Sequence, residues 1–140
     1  MKILVPTDGS SCALRAVKYS ISIAKGNKNV KVTLISVHDD IGLQHVRKYL
    51  PKGVIAEFLR EQSENDLKKS QQVLDRAGVT HDMVIKTGSP AEEIVKLGKT
   101  EHFDLIVMGA KGRSSFGDLL VGSVAQKVLS ATKLPLTLIK

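Results

Sequence analysis

The chain alternates short apolar runs with longer stretches in which apolar residues recur every three or four positions. Residues 2–5 make a first apolar run that stops at Pro6. Ser10 or Ser11 then caps a helix in which Ala13, Ala16, Val17, Ile21 and Ala24 recur at helical spacing, and Gly26-Asn27 ends it. Residues 30–37 are rich in β-branched side chains and predict a second strand. Residues 38–53 mix charges with Gly42 and Pro51, and predict mostly loop with room for one helical turn. Residues 54–77 predict a long helix, with Ile55, Phe58, Leu59, Leu67, Val73, Leu74 and Ala77 as its inner stripe and Gly78 as its C-cap. Residues 79–87 predict a third strand. Ser89-Pro90-Ala91-Glu92 marks a helix start: Ser89 caps, Pro90 takes the first helical position, and Glu92 closes a capping box. That helix runs to about Lys99. Residues 104–108 predict a fourth strand and residues 109–122 a glycine-rich loop. Ser123 begins a fourth helix, to about Thr132, and residues 135–139 predict a fifth strand.

Strands separated by helices must cross over, so the sheet is expected to be parallel. The strands are continuous apolar runs, which suits a sheet covered by helices on both faces. The pattern therefore predicts an open, doubly wound α/β fold. No internal repeat, linker or low-complexity tract interrupts it, so residues 1–140 are expected to form a single domain.

Composition narrows the function classes. The chain is 42% hydrophobic and 25% charged, as ordinary globular proteins are. The single cysteine, Cys12, argues against a disulfide scaffold. No apolar run reaches the roughly 18 to 20 residues a transmembrane helix needs. The first apolar run is too short for a secretory leader, so a cytoplasmic protein without membrane association is expected. The net charge is +7, from 21 Lys and Arg against 14 Asp and Glu. These basic residues are spread along the chain, with no arm longer than a pair such as Arg47-Lys48. The aromatics are only Tyr19, Tyr49, Phe58, Phe103 and Phe116, with no stacking pattern for bases. A nucleic-acid partner is accordingly not expected.

In open parallel sheets, ligands bind beyond the carboxyl ends of the strands where strand order reverses. After strand one stands Pro6-Thr7-Asp8-Gly9-Ser10, and after strand two Val37-His38-Asp39-Asp40. After strand four stands Gly109-Ala110-Lys111-Gly112, leading to Gly122-Ser123. Glycines let the backbone approach a ligand closely, and the helix start that follows offers free N–H groups and a favourable dipole to a phosphate. Lys111, Arg113, Ser114, Ser115 and Ser123 add cations and hydroxyl donors. Ser123 also predicts a cap for the fourth helix, with Gln126 closing its box. The loop lacks the Gly-Lys-Ser/Thr of a Walker motif, and strand one lacks a dinucleotide fingerprint. Asp8 admits several roles: capping the first helix, hydrogen-bonding a nucleoside, or binding a Mg²⁺ that bridges phosphates. A phosphoacceptor role is disfavoured, because Pro6 and Thr7 occupy the positions of the acidic partners it needs. The four histidines show no metal spacing, Cys12 has no second cysteine, and no nucleophile elbow is present.

The spacing Gly109-x-x-Gly112, nine residues, then Gly122-Ser123 resembles the nucleotide signature of the universal stress protein family. The opening Ile-Leu-Val-Pro-Thr-Asp-Gly-Ser, the block Asp104-Leu-Ile-Val-Met-Gly and the closing Leu-Pro-Leu-Thr-Leu-Ile are also similar to blocks of that family, so the resemblance spans the chain. It implies strand order 3-2-1-4-5 and the ATP-binding subgroup, with ATP, or ADP or AMP, and Mg²⁺ or Mn²⁺ bridging phosphate oxygens. By matching position, Pro6, Thr7 and Asp8 would line the adenosine side, with Asp8 near the ribose or the metal. Val37 would contact adenine, and Met108 and Gly109 would lie beneath the nucleoside. Lys111, Gly112, Gly122, Ser123 and Val124 would surround the phosphates. This chain departs from the family at Lys111, often histidine or arginine there, at Ala110, often serine, and at Gly9, commonly bulky. The family also implies homodimers, and the apolar edge strand 135–139 gives an independent reason to expect pairing. The expected function is a stress-response or signalling switch governed by ATP occupancy. The alternatives are a slow ATPase or phosphotransferase, for which only Asp8 and Asp118 offer a base, and a dimeric interaction module without nucleotide.

Overall fold

A computed structural model of the chain describes residues 1–113 and 120–140. In chain order the elements are β1 (Lys2–Pro6), α1 (Ser11–Ala24), β2 (Lys31–His38), a 3-10 helix (Ile41–Tyr49), α2 (Val54–Ala77), β3 (His81–Thr87), α3 (Pro90–Thr100), β4 (Leu105–Gly109), α4 (Ser123–Ala131) and β5 (Leu136–Ile139). The five strands form one sheet in the order β3-β2-β1-β4-β5, and every pairing is parallel. The doubly wound parallel fold is thus as the apolar pattern predicts, and the strand order is the one the family resemblance implies.

Strand periodicity explains the two-sided core. Ile3 and Val5 on β1 and Val32 and Leu34 on β2 face one way and pack with Ala16 and Val17 of α1 and Leu67 and Leu74 of α2. Their neighbours Leu4 and Ile35, with Ile106 and Met108 of β4, face the other way and pack with Ala91 and Ile94 of α3 and Ala125 and Val128 of α4. Each central strand is apolar at consecutive positions because both faces are buried. The chain winds outward from β1 in one direction through β2 and β3, and in the other through β4 and β5. The carboxyl ends of β1 and β4 therefore diverge at the switch point and leave a crevice.

Local chemistry follows the sequence in some places and departs from it in others. Ser10 caps α1, its Oγ accepting the Ala13 N–H at 3.1 Å. Ser89 sits at the N-cap of α3 without a side-chain cap bond, so no capping box forms with Glu92; Pro90 in the first turn already removes one orphan donor. Gly122, not Ser123, is the N-cap of α4. Gln126 Nε2 instead donates to the Val121 carbonyl at 2.9 Å, tying the helix to the chain before it. The stretch expected to be loop holds the 3-10 helix, closed by an ion pair between Arg47 and Asp40. Phe58 is 48% exposed rather than inside, and α2 buries Ser63, Asp66 and Ser70 along with its apolar residues. Among the described residues, no helix is long and apolar enough to cross a membrane.

Candidate functional site

The crevice is built from the turn after β1. The Thr7 N–H donates to the Ile35 carbonyl at 2.9 Å, so the strand pairing continues one step past Pro6. Asp8 then turns the chain, its Oδ1 accepting the Ser10 N–H at 2.9 Å. Its Oδ2 accepts the Arg113 N–H at 3.0 Å, which clasps the loop after β4 to the turn after β1. Gly112 makes that clasp possible: a Cβ there would stand 2.6 Å from Asp8 Oδ2. Glycine at position 109 likewise admits the first turn of α1, since a Cβ would meet the Cys12 carbonyl carbon at 3.0 Å.

The loop leaves and returns at one residue. The Ala110 N–H donates to the Ile139 carbonyl at 2.7 Å, and the Ala110 carbonyl accepts the Gly122 N–H at 2.6 Å. Lys111 and Gly112 are thereby brought beside Gly122, Ser123 and Val124 at the start of α4. Among the described residues, no side chain caps that helix. Its first amides and its dipole are an electropositive end pointed at the crevice.

A cavity of about 290 Å³ occupies this crevice. Pro6, Thr7 and Asp8 line it from β1, Val37 from β2, and Met108 and Gly109 from β4. Lys111, Gly112, Gly122, Ser123 and Val124 line it from the loop and α4. These eleven residues thus border one space. Ser114, Ser115 and Asp118 lie outside the described residues. Ile35, Val37, Pro90, Ile94 and Met108 make one end apolar, while Lys111, Arg113 and the start of α4 make the other polar and cationic.

Two further residues of this wall pair with each other: Asp66, which the sequence reading does not single out, and His38, which it names only within the segment after strand two. Asp66 is 3% exposed on α2 and borders the cavity. His38 Nε2 lies 2.7 Å from its Oδ2, and Ser36 Oγ donates to the same oxygen at 3.4 Å. Ser36 Oγ also bonds Ser63 Oγ at 3.1 Å, and Thr7 Oγ1 meets Ser70 Oγ at 3.4 Å. The signal was present in α2: Ser63, Asp66 and Ser70 fall at helical spacing on the same face as Leu59, Leu67 and Leu74. Polar residues interrupting an apolar stripe mark the place where the helix faces something polar.

Cys12 is buried, and its Sγ donates to the Ile139 carbonyl at 3.0 Å, a packing role. Among the described residues, no group of three or more His, Cys, Asp or Glu could hold a metal ion by itself. Mg²⁺ commonly takes one or two carboxylates and completes its shell with phosphates and water. Asp8 borders the cavity beside the loop, and each of its oxygens keeps acceptor capacity after one N–H bond; the other bordering carboxylate of the described residues, Asp66, is paired with His38. That donor set fits an ion carried in with a phosphate and does not make a preformed cation cage.

The chain matches the universal stress protein family over residues 1–140. Universal stress protein MJ0531 of Methanocaldococcus jannaschii is 33% identical over 141 residues, covering 99% of this chain and 81% of that protein. The solved structure of MJ0577, the subject of a structure-based assignment of biochemical function, superposes with a TM-score of 0.87 at 31% identity, covering 99% of this chain and 94% of that one. A universal stress protein solved in complex with cAMP shares the fold, with a TM-score of 0.74 at 24% identity over 100% of this chain and 97% of that one.

Proposed function

The chain belongs to the universal stress protein family, and we propose that it is a member that binds an adenine nucleotide, ATP with Mg²⁺ foremost and ADP or AMP otherwise, as a cytoplasmic stress-response or signalling switch. The observation that carries this reading is the union, in one cavity, of an apolar end and an uncapped helix start approached by a glycine loop. A purine needs the first and a phosphate chain the second. Val37 and Met108 would sandwich the base region, and Asp8, fixed by two backbone N–H groups, would present its remaining acceptor sites to the ribose or the ion. Lys111, with Gly112 and Gly122 admitting close approach, would meet the phosphates beside Ser123 and Val124. When bound, Mg²⁺ would neutralise phosphate charge. Binding rather than turnover is favoured, because Asp8 is committed to holding the two turns together and no other carboxylate of the described residues borders the polar end except Asp66, which His38 occupies.

In the same reading the single domain pairs with a second copy through residues 135–139. β5 is the sheet edge beyond β4, and each of its residues is half-exposed in the single chain. Light scattering across a dilution series tests this, a constant monomer mass overturning it. The nucleotide reading is tested by denaturing the purified protein, identifying released nucleotides, and titrating the emptied protein with Mg·ATP. Gly122→Leu sits at an N-cap with φ −73 that any residue adopts. It is expected to keep the thermal melt and lose binding. Unchanged binding would remove the phosphate end of the site from α4.

A further inference from the structure

Asp66 is a buried carboxylate in the wall of a cavity read above as an anion site, which is electrostatically the wrong sign. Buried charge persists only with compensation. Oδ2 has its partners in His38 and Ser36. Oδ1 faces Nη1 of Arg113 at 3.8 Å, too long for a hydrogen bond. The Arg113 backbone is clasped to Asp8, but its side chain is 64% exposed. That side chain runs back across Gly9, where a Cβ would stand 2.6 Å from Nη2 and 3.1 Å from Asp66 Oδ1. Only a glycine, here also at φ +78, leaves the guanidinium room to lie there.

Arg113 therefore has an anchored backbone, a loosely held head, and a place at the rim of the polar end. The ion pair is long and its guanidinium end is open to solvent, although Asp66 itself is buried, so Arg113 is held only weakly. A guanidinium on phosphate gains charge-assisted, two-pronged hydrogen bonds. Departure of Arg113 leaves Asp66 its two partners on Oδ2, so the carboxylate is not orphaned. We propose that Arg113 is a phosphate ligand parked on Asp66, and that Asp66, by competing for it, sets how strongly the site favours nucleotides by their number of phosphates. This rests on the nucleotide reading above.

The test is calorimetric titration of adenosine, AMP, ADP and ATP into four proteins: unaltered, Asp66→Asn, Arg113→Ala and the double variant. Asp66→Asn keeps an acceptor for His38 and removes the competing charge. It is expected to tighten ATP roughly five-fold, the size of a lost weak ion pair, with a smaller gain for AMP and none for adenosine. The gain should vanish when Arg113 is already alanine. Equal or weaker ATP binding by Asp66→Asn would overturn the proposal, as would a gain that survives without Arg113, since simple repulsion would then explain it. If Asp66→Asn fails to fold, Gly9→Ala removes the parking place by its Cβ and must shift ATP affinity in the same direction. An unaltered protein that binds none of the four ligands overturns the nucleotide reading and this one together. An unaltered protein that binds ATP, with no tightening in either variant, overturns this one alone.

Discussion

The two ends of the cavity are made of different material. The apolar end is side chains on strand ends and α3: Ile35, Met108 and Ile94 are nearly fully buried and belong to the core that holds α3 and α4 to the sheet. The polar end is mostly backbone: the Asp8 clasp, the return of the chain at Ala110, and the open start of α4. Tight packing fixes the first whether or not a ligand is present. A few hydrogen bonds and the absence of two Cβ atoms fix the second. Affinity should thus be lost most sharply at the polar end and stability at the apolar end.

The strongest break in that contrast is Gly112→Val. Its Cβ would collide with Asp8 Oδ2 at 2.6 Å, and both the carboxylate and the loop would have to move. Titration is expected to show loss of measurable Mg·ATP binding. The thermal unfolding free energy should fall by only about 1–3 kcal/mol, as for overpacking at a site that can shift. A variant that binds normally would mean that the Asp8 clasp is not part of the site.

Ile94→Ala addresses the other end. Ile94 is 3% exposed between α3 and the sheet. Its truncation is expected to cost about 2–5 kcal/mol of stability, measured by denaturant unfolding. Adenosine and ATP should weaken by the same factor, because the lost contact lies away from the phosphates. Weakening of ATP alone would mean that the base does not sit at this end.

The sheet was legible because its signals are redundant. Each central strand is a run of apolar residues bounded by Pro6, Gly109 or charges, and each helix shows a 3.6-residue stripe. The glycine spacing after β4 and the Asp8 turn placed the cavity for a similar reason: backbone that must pass close to something leaves glycines in the sequence. Side-chain partnerships left weaker traces. Ser89 and Ser123 satisfy the rules for caps, yet neither side chain caps its helix, since nearby Pro90 and the Gln126–Val121 bond alter what the helix starts need. Asp66 lies 28 residues from His38 and pairs with it only because α2 crosses β2, and a local pattern cannot show that. Residues 41–49 carry few apolar anchors, and the 3-10 helix there buries none of its residues, so hydrophobic periodicity had little to report.

The smallest expected effect sharpens the contrast through salt. Lys111 is half-buried at the polar end, bordering the cavity beside the start of α4. Lysine acts on phosphate as a point charge without a fixed fork, so its loss removes field rather than geometry. Lys111→Ala is expected to weaken ATP by about two- to five-fold at low ionic strength, the scale of a partly exposed charge interaction. The difference should shrink toward nothing near 1 M salt, where screening acts within about 3 Å. Adenosine affinity should not change at any salt concentration. A deficit that persists undiminished at high salt would show that Lys111 holds the loop in shape, and the polar end would then depend on a side chain as well as on its backbone.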